Sequence, residues 1–279
     1  MSSNTNWLYG DVWDITGVHP ASAIVKIEDN IEASTGHETL GLLVDAGSKL
    51  EIKNNQELII SSYLKLDGTI DLVGESQLVQ SLNSELDVTS SGLIERDQQG
   101  KGDIYSYNFW SSPVSPVNAT AINEPYSIDE VLRDGTDVNN LQNIIWTTGY
   151  NGAPTTPITL SSYWLFTFDN QVEDYGSWQQ VNQTQDVKVG LGYTMKGSGS
   201  GATSNSQNYT FVGKPNNGDI SHALTAANTS LLGNPYPSAL DADQFILDNI
   251  GVIEEDGDAI GAGVTTGALY FWEHFATNN

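Results

Sequence analysis

The chain has 279 residues, 35 of them acidic and 10 basic, and its formal charge of −25 repels phosphate backbones and anionic lipid surfaces, so nucleic acid is not an expected partner. Cysteine is absent, which removes disulfides, thiolate metal sites and thiol catalysis together. No apolar run reaches the ~20 residues of a membrane span, and no membrane insertion is expected.

The chain opens on Met1-Ser2-Ser3-Asn4 with no signal peptide, and is expected to be a piece excised from a longer protein. Trp7, Tyr9, Trp13 and the alternation Ala23, Val25, Ile27 suit one or two strands that cap a ladder of strands beginning near residue 40. Across residues 40–94, apolar-polar-apolar triplets recur between turn residues: Leu50-Glu51-Ile52, Leu64-Lys65-Leu66, Ile70-Asp71-Leu72 and Leu86-Asp87-Val88. Period-two alternation in runs this short predicts strands. Leu43, Leu58, Leu78 and Leu93 return at intervals of roughly 15 to 20 residues, the length of one coil of a β-solenoid or one hairpin of a meander. Short strands and few Asn-Gly or Asp-Gly pairs favour the solenoid, while Asp67-Gly68 keeps the meander as the alternative. Asp71 and Asp87, central in their triplets, are expected to point outward.

After Gly92 the texture changes, and the polar stretch 96–103 with Gly100 and Gly102 marks a boundary. Residues 1–100 form the ladder; residues 101–279 form a β-rich, sandwich-like domain whose last strands are expected to lie beyond Asn279. Strands are expected at 104–110, 143–146, 163–168, 178–181, 191–196, 208–212, 229–232 and 268–272. Ser127-Ile128-Asp129-Glu130 has capping-box spacing and predicts a helix ending near Asp134-Gly135. A second helix is expected to begin at Ser238 and to carry Leu240, Phe245, Ile246 and Ile250 on an apolar face. Residues 197–206 have the composition of a flexible loop. The fold class is all-β: a short β-solenoid-like N-terminal unit packed on a β-sandwich-like domain with two short helices.

Several blocks carry a resemblance. Gly74-Glu75-Ser76-Gln77-Leu78-Val79-Gln80 followed by Tyr107-Asn108-Phe109-Trp110-Ser111-Ser112-Pro113-Val114 resembles a paired signature of large secreted surface proteins of Bacteroidota. Val189-Gly190-Leu191-Gly192-Tyr193-Thr194-Met195-Lys196-Gly197, Leu231-Leu232-Gly233-Asn234-Pro235-Tyr236-Pro237-Ser238 and Leu269-Tyr270-Phe271-Trp272-Glu273-His274 are similar to later blocks of the same group. The resemblance implies export by the type IX secretion machinery, an extracellular or cell-surface address and an adhesin-like role. It transfers no catalytic residue.

The chemistry-bearing residues form few recognisable frames. His19, His37, His222 and His274 lie in no nucleophile motif, there is no Gly-x-Ser-x-Gly elbow, and no His-Glu-x-x-His pair supports a zinc hydrolase. Calcium, a hard cation that takes carboxylate and carbonyl oxygens, is the expected metal if one is bound. Its candidate ligands are Asp134 with Asp137, Asp241 with Asp243, and Asp256 with Asp258, none of which completes an EF-hand loop. Asp241 has a second explanation, as a carboxylate near a helix start. Tyr150, Tyr175, Trp178 and Tyr236 lie in or beside Gly- and Pro-rich turns, where exposed rings could stack on sugars. Trp110, Trp164 and Phe271 lie in alternating runs and are expected in the core.

The expected function is a non-enzymatic extracellular surface module, an adhesin or stalk segment, with surface glycans or other cell-surface proteins as partners. The alternatives are a carbohydrate-binding module with calcium, and a polysaccharide-active enzyme using paired carboxylates on the solenoid face.

Overall fold

The structure, a computed structural model, describes residues 20–119, 121–199 and 206–249, together with the backbone pairing of 7–8, 252–253 and 259–260. The first ten strands are β1 (Trp7–Leu8), β2 (Ile24–Ile27), β3 (Ile31–Ala33), β4 (His37–Val44), β5 (Lys49–Ile52), β6 (Glu57–Leu66), β7 (Thr69–Leu72), β8 (Gln77–Gln80), β9 (Glu85–Leu86) and β10 (Leu93–Lys101). All pairings among them are parallel: β1-β2-β4-β6-β8 with β9 beside β6 in one sheet, and β3-β5-β7-β10 in the other. A meander requires antiparallel neighbours. The chain instead alternates between the two sheets and winds a β-solenoid of about four turns.

The triplets explain the winding. Leu42 stacks on Leu64, Leu58 on Leu78, Leu50 on Ile70, Ile70 on Ile94, and Ile52 on Leu72, all at 0–1 % exposure. Each such side chain contributes about 1.5–3 kcal/mol by leaving water, and the intervening residue is turned outward by the pleat. Hydroxyls bind one coil to the next at the bend in β4 and β6. Thr39 Oγ1 donates to Ala23 O (2.7 Å), Ser61 Oγ to Thr39 O (3.2 Å) and Ser81 Oγ to Ser61 O (2.6 Å). Bending strands leave carbonyls out of the ladder, and a short hydroxyl side chain satisfies them.

Outward positions stack as well. Glu32, Glu51, Asp71 and Glu95 share one register across β3, β5, β7 and β10. Lys49 bridges Asp71 (2.7 Å) and Glu95 (2.9 Å), and Lys53 bridges Glu32 (2.8 Å) and Glu51 (2.9 Å). Asp71 does sit on the outward face, yet it is only 7 % exposed. Burial pushes its carboxyl up to about 6; Lys49 pulls it back down, while Glu95 and Asp97 add to the rise. Folding therefore favours protonated Asp71. Its contribution to stability is complete below the ordinary value of 3.8 and is lost as pH rises through about 6. Asp71→Asn is expected to flatten the stability profile between those limits by up to about 3 kcal/mol, read by urea unfolding across that pH range. A variant with the wild-type slope would contradict this.

The last parallel strand ends at Lys101, and the sheet it belongs to continues beyond it. Strand β10 pairs with β7 on one edge and, antiparallel, with a long strand of the second part on the other. That part contains β11 (Tyr107–Trp110), β12 (Val114–Ser115), β13 (Leu132–Asp134), β14 (Gln142–Asn143), β15 (Ile145–Thr147), β16 (Thr159–Ser161), β17 (Phe166–Thr167), β18 (Gln171–Val172), β19 (Gln179–Gln180), β20 (Tyr193–Lys196), β21 (Ser206–Pro215) and β22 (Asn228–Thr229). Strand β21 runs along the whole of β10, from Ile94 opposite Gly213 to Lys101 opposite Ser206, so the sheet β14-β13-β21-β10-β7-β5-β3 crosses both parts. A second sheet, β11-β20-β17-β19, stacks with it. Tyr126, Tyr193, Met195, Tyr209 and Phe211 fill the space between, in one apolar cluster with the solenoid interior.

Several expected elements shift. The first helix, α1 (Ile128–Val131), starts at the capping box but stops before Asp134, because Leu132–Asp134 is drawn into pairing with β21. The second, α2 (Ala242–Asn249), starts later than Ser238. Asp241 caps it, its Oδ1 accepting from Gln244 N (3.0 Å). No residue of α2 is buried, so its expected apolar face is not covered by the described residues. The stretch expected as a strand at 163–168 begins as a 3-10 turn, Ser162–Trp164, before β17. The strand expected at 268–272, Phe271, Ile250 and most of the 197–206 loop lie outside the described residues.

Candidate functional site: an exposed aromatic face

Strand β11 alternates. Trp110 turns inward onto Tyr209 (ring centroids 4.9 Å apart) and Phe211 (6.0 Å), while Tyr107 and Phe109, two apart and 6.2 Å from each other, share the outer side. The Asp103 carboxylate sets up this strand by accepting from Tyr105 N (2.7 Å) and Ser106 N (2.8 Å). The 3-10 turn of Ser162–Trp164 then does what a strand could not, presenting the consecutive residues Tyr163 and Trp164 side by side. Trp164 lies 6.1 Å from Tyr107 and 4.8 Å from Tyr163, both edge to face. Tyr150 closes the group at 4.6 Å from Tyr163 and 6.3 Å from Trp164, and its carbonyl accepts Trp164 Nε1–H (2.6 Å).

Five rings from three separate segments thus form one continuous surface. Phe109 is 51 % and Tyr150 64 % exposed. Edge-to-face pairs contribute about 0.5–1.5 kcal/mol each, enough to fix ring orientation without burial. Single exposed aromatics are ordinary, but a contiguous patch marks an interaction surface. Lys196, opposite Tyr107 in the β11–β20 register, lays its ammonium 3.8 Å from the Trp164 ring centre and 4.8 Å from that of Tyr107. Burial lowers the pKa of this ammonium, opposed by the Asp103 charge. Burial also raises the Tyr107 phenol, with the Tyr175 and Tyr163 phenols adding to the rise. Tyr175 is 92 % exposed.

Of the sugar-stacking candidates, Tyr150 is brought to this face; Tyr175 is exposed in the 3-10 turn Tyr175–Ser177. Trp178 is half-buried against Phe168, 5.2 Å away. Tyr236 is also half-buried, and its hydroxyl donates to Gly218 O (2.8 Å). It lines a separate cleft of about 250 Å³ between Leu78–Leu82 of the solenoid, residues 216–219 and residues 236–240. Trp164, expected in the core, is a member of the face, and the sequence does not single out Tyr107, Phe109, Tyr163 or Lys196. Alternation was the only available signal, and it cannot show that a run opens with a 3-10 turn.

The expected calcium ligands are not assembled. Asp134 is buried and spends its oxygens on Thr136 N (2.9 Å), Thr136 Oγ1 (2.6 Å) and Ile158 N (2.9 Å), while exposed Asp137 accepts from Asn139 N (3.1 Å). Asp241 and Asp243 stand at the start of α2, where a carboxylate satisfies or complements free amides. Asp256 and Asp258 lie outside the described residues. Among the described residues no group of three or more Asp, Glu or His could hold a metal ion.

One constellation has no counterpart in the sequence motifs. His222 Nε2 lies 2.9 Å from Asp169 Oδ1 and 3.2 Å from Ser230 Oγ. Both contacts fall on the same ring nitrogen, whereas a nucleophilic triad needs the acid on one nitrogen and the hydroxyl on the other. Lys188 also holds Asp169 (2.7 Å), and Ser230 Oγ already accepts from Asn170 N (2.8 Å). The cluster ties the 169–172 segment to β22.

No curated protein and no solved structure matches the chain. A family match covers its whole length, residues 1–279, and the chain belongs to that family, the domain of unknown function DUF8693.

Proposed function

We propose that this chain is a non-enzymatic surface module in which a rigid solenoid carries a glycan-binding aromatic face. The observation that carries the reading is the continuous patch of Tyr107, Phe109, Trp164, Tyr150 and Tyr163. Rings held edge to face or tilted at 4.6–6.2 Å offer a length of apolar surface with polar rims, which suits the C–H faces and hydroxyl edges of successive sugar rings. The parallel coils, whose backbone groups bond from one layer to the next, suit a spacer that keeps such a face away from its anchor point. The sequence resemblance to exported surface proteins of Bacteroidota supports a cell-surface address and export by the type IX machinery.

The test is a panel of soluble plant and marine polysaccharides, read by calorimetry and by tryptophan fluorescence. Saturable binding of at least one polymer, with a change in tryptophan emission, is the expected result. No binding across the panel would reject the reading. New reducing ends released from a bound polymer would move it to the polysaccharide-active alternative.

A further inference from the structure

We infer that the aromatic face prefers anionic polysaccharide, a chain bearing carboxylate or sulfate groups, and that Lys196 supplies the charge it reads. This rests on the glycan-binding reading above. The basic residues of this very acidic chain are nearly all engaged. Lys26, Lys49, Lys53, Lys65 and Lys188 each hold carboxylates at 2.7–3.6 Å. Lys214 is buried and donates to Ala119 O (2.6 Å). Arg96 donates to Gly74 O (2.8 Å), and Arg133 to the carbonyls of Asp129 and Glu130 (both 2.9 Å).

Among the described residues, that leaves Lys196 and Lys101 with neither a carboxylate nor a carbonyl partner for the ammonium. Of the two, Lys196 stands at the aromatic face, over two of its rings; the Lys101 backbone is bonded on both sides to the side chain of buried Asn108 (2.7 and 3.1 Å), on the opposite side of β11 from Tyr107 and Phe109.

The face of an aromatic ring attracts a cation, so the rings account for where the ammonium rests. Among the described residues no carboxylate forms an ion pair with it, in a protein with 35 acids. The Asp103 charge acts on it, but Asp103 is buried, with Oδ1 accepting two backbone N–H groups and Oδ2 accepting none. The net charge of the whole chain does not decide the matter, because charges beyond about 8 Å are screened at physiological ionic strength. A sugar carboxylate or sulfate reaches the ammonium while the sugar itself stacks on ring surface that Lys196 does not cover.

The experiment uses three polymers with one backbone: short soluble cellulose oligomers, carboxymethylcellulose and cellulose sulfate, each titrated into the full chain at physiological and at high ionic strength. The expected result is binding at least tenfold tighter for one or both anionic polymers at physiological ionic strength, where the distant acids are screened, with the preference shrinking at high salt. Lys196→Met keeps a side chain of similar reach on the rings and removes the charge. It is expected to bring the anionic polymers down to the level at which the same variant binds the neutral one. The two anionic arms separate carboxylate from sulfate as the favoured group. Equal wild-type affinity for neutral and anionic polymers, or a preference that survives Lys196→Met in a folded variant, would overturn the inference while leaving glycan binding intact. Failure of all three polymers, together with the wider panel, would instead reject the glycan reading. If Lys196→Met does not fold, the wild-type salt dependence decides: a preference insensitive to salt overturns the inference.

Discussion

Trp164→Ala is expected to weaken polysaccharide binding by about 30-fold, a loss of roughly 2 kcal/mol of the kind seen when a central aromatic anchor is removed. Trp164 touches three of the other four rings and carries the Lys196 ammonium, so its removal takes away a stacking surface and the seat of the cation together. Tyr150→Ala, at the exposed end of the patch, is expected to cost less, about 1 kcal/mol. Tyr236→Phe, which removes only a hydroxyl bonded to Gly218 O in a different cleft, is expected to leave affinity unchanged. Calorimetry with one bound polymer checks all three, with melting temperatures measured alongside. The aromatic face would be the wrong site if Trp164→Ala bound as wild type while Tyr236→Phe did not.

Gly92→Ala is expected to destabilise the solenoid by at least about 3 kcal/mol, through overpacking that has no side chain to yield. Successive coils touch backbone to backbone at one corner. A methyl group on Gly92 would fall well inside contact distance of Gly68 O, and one on Gly68 would collide with Ser48 O and Asp45 O. The coils are held there by Gly92 N–H to Leu66 O (2.8 Å) and Leu93 N–H to Gly68 O (3.1 Å). They cannot separate without breaking the parallel ladder on both sides. Gly47→Ala makes the control: its φ of +85° is unfavourable for a side chain, but nothing stands within 4 Å, and a cost of only about 1 kcal/mol is expected. Urea midpoints for the two variants should therefore differ clearly. Equal midpoints would show that the corner is looser than its geometry implies.

That corner also shows why part of the fold was hidden in the sequence. Asp67-Gly68 has the form of a hairpin turn, and it is the residue pair that makes a meander plausible from sequence. In the structure Gly68 does not adopt a positive φ. It is a glycine because another strand's backbone passes over it, and sequence cannot distinguish a glycine needed for conformation from one needed for space. The ladder itself was legible. Triplets with apolar flanks and a polar centre fix which side chains turn inward, and the return of the pattern sets the length of one coil while leaving the meander as the alternative.

The aromatic face was legible only in fragments. Tyr150 stands out because it lies in a turn, but Trp178 and Tyr236 lie in similar turns and pack inward, since a turn sets backbone direction and not the company a ring keeps. Asp241, a candidate calcium ligand by residue type, has its helix-start role visible in the sequence, and only the cap itself differs, at Asp241 instead of Ser238.

The sequence by itself determined the all-β class, the length of one coil and the capping box at Ser127, because each follows from short-range alternation or spacing. Tertiary structure alone decided that β10 belongs to both parts, that α1 yields to strand pairing at Leu132, and that rings from residues 107–109, 150 and 163–164 meet around Lys196. Those outcomes depend on contacts between segments far apart in the chain. No local pattern encodes such contacts, because their free energy is gained only when the sheets stack.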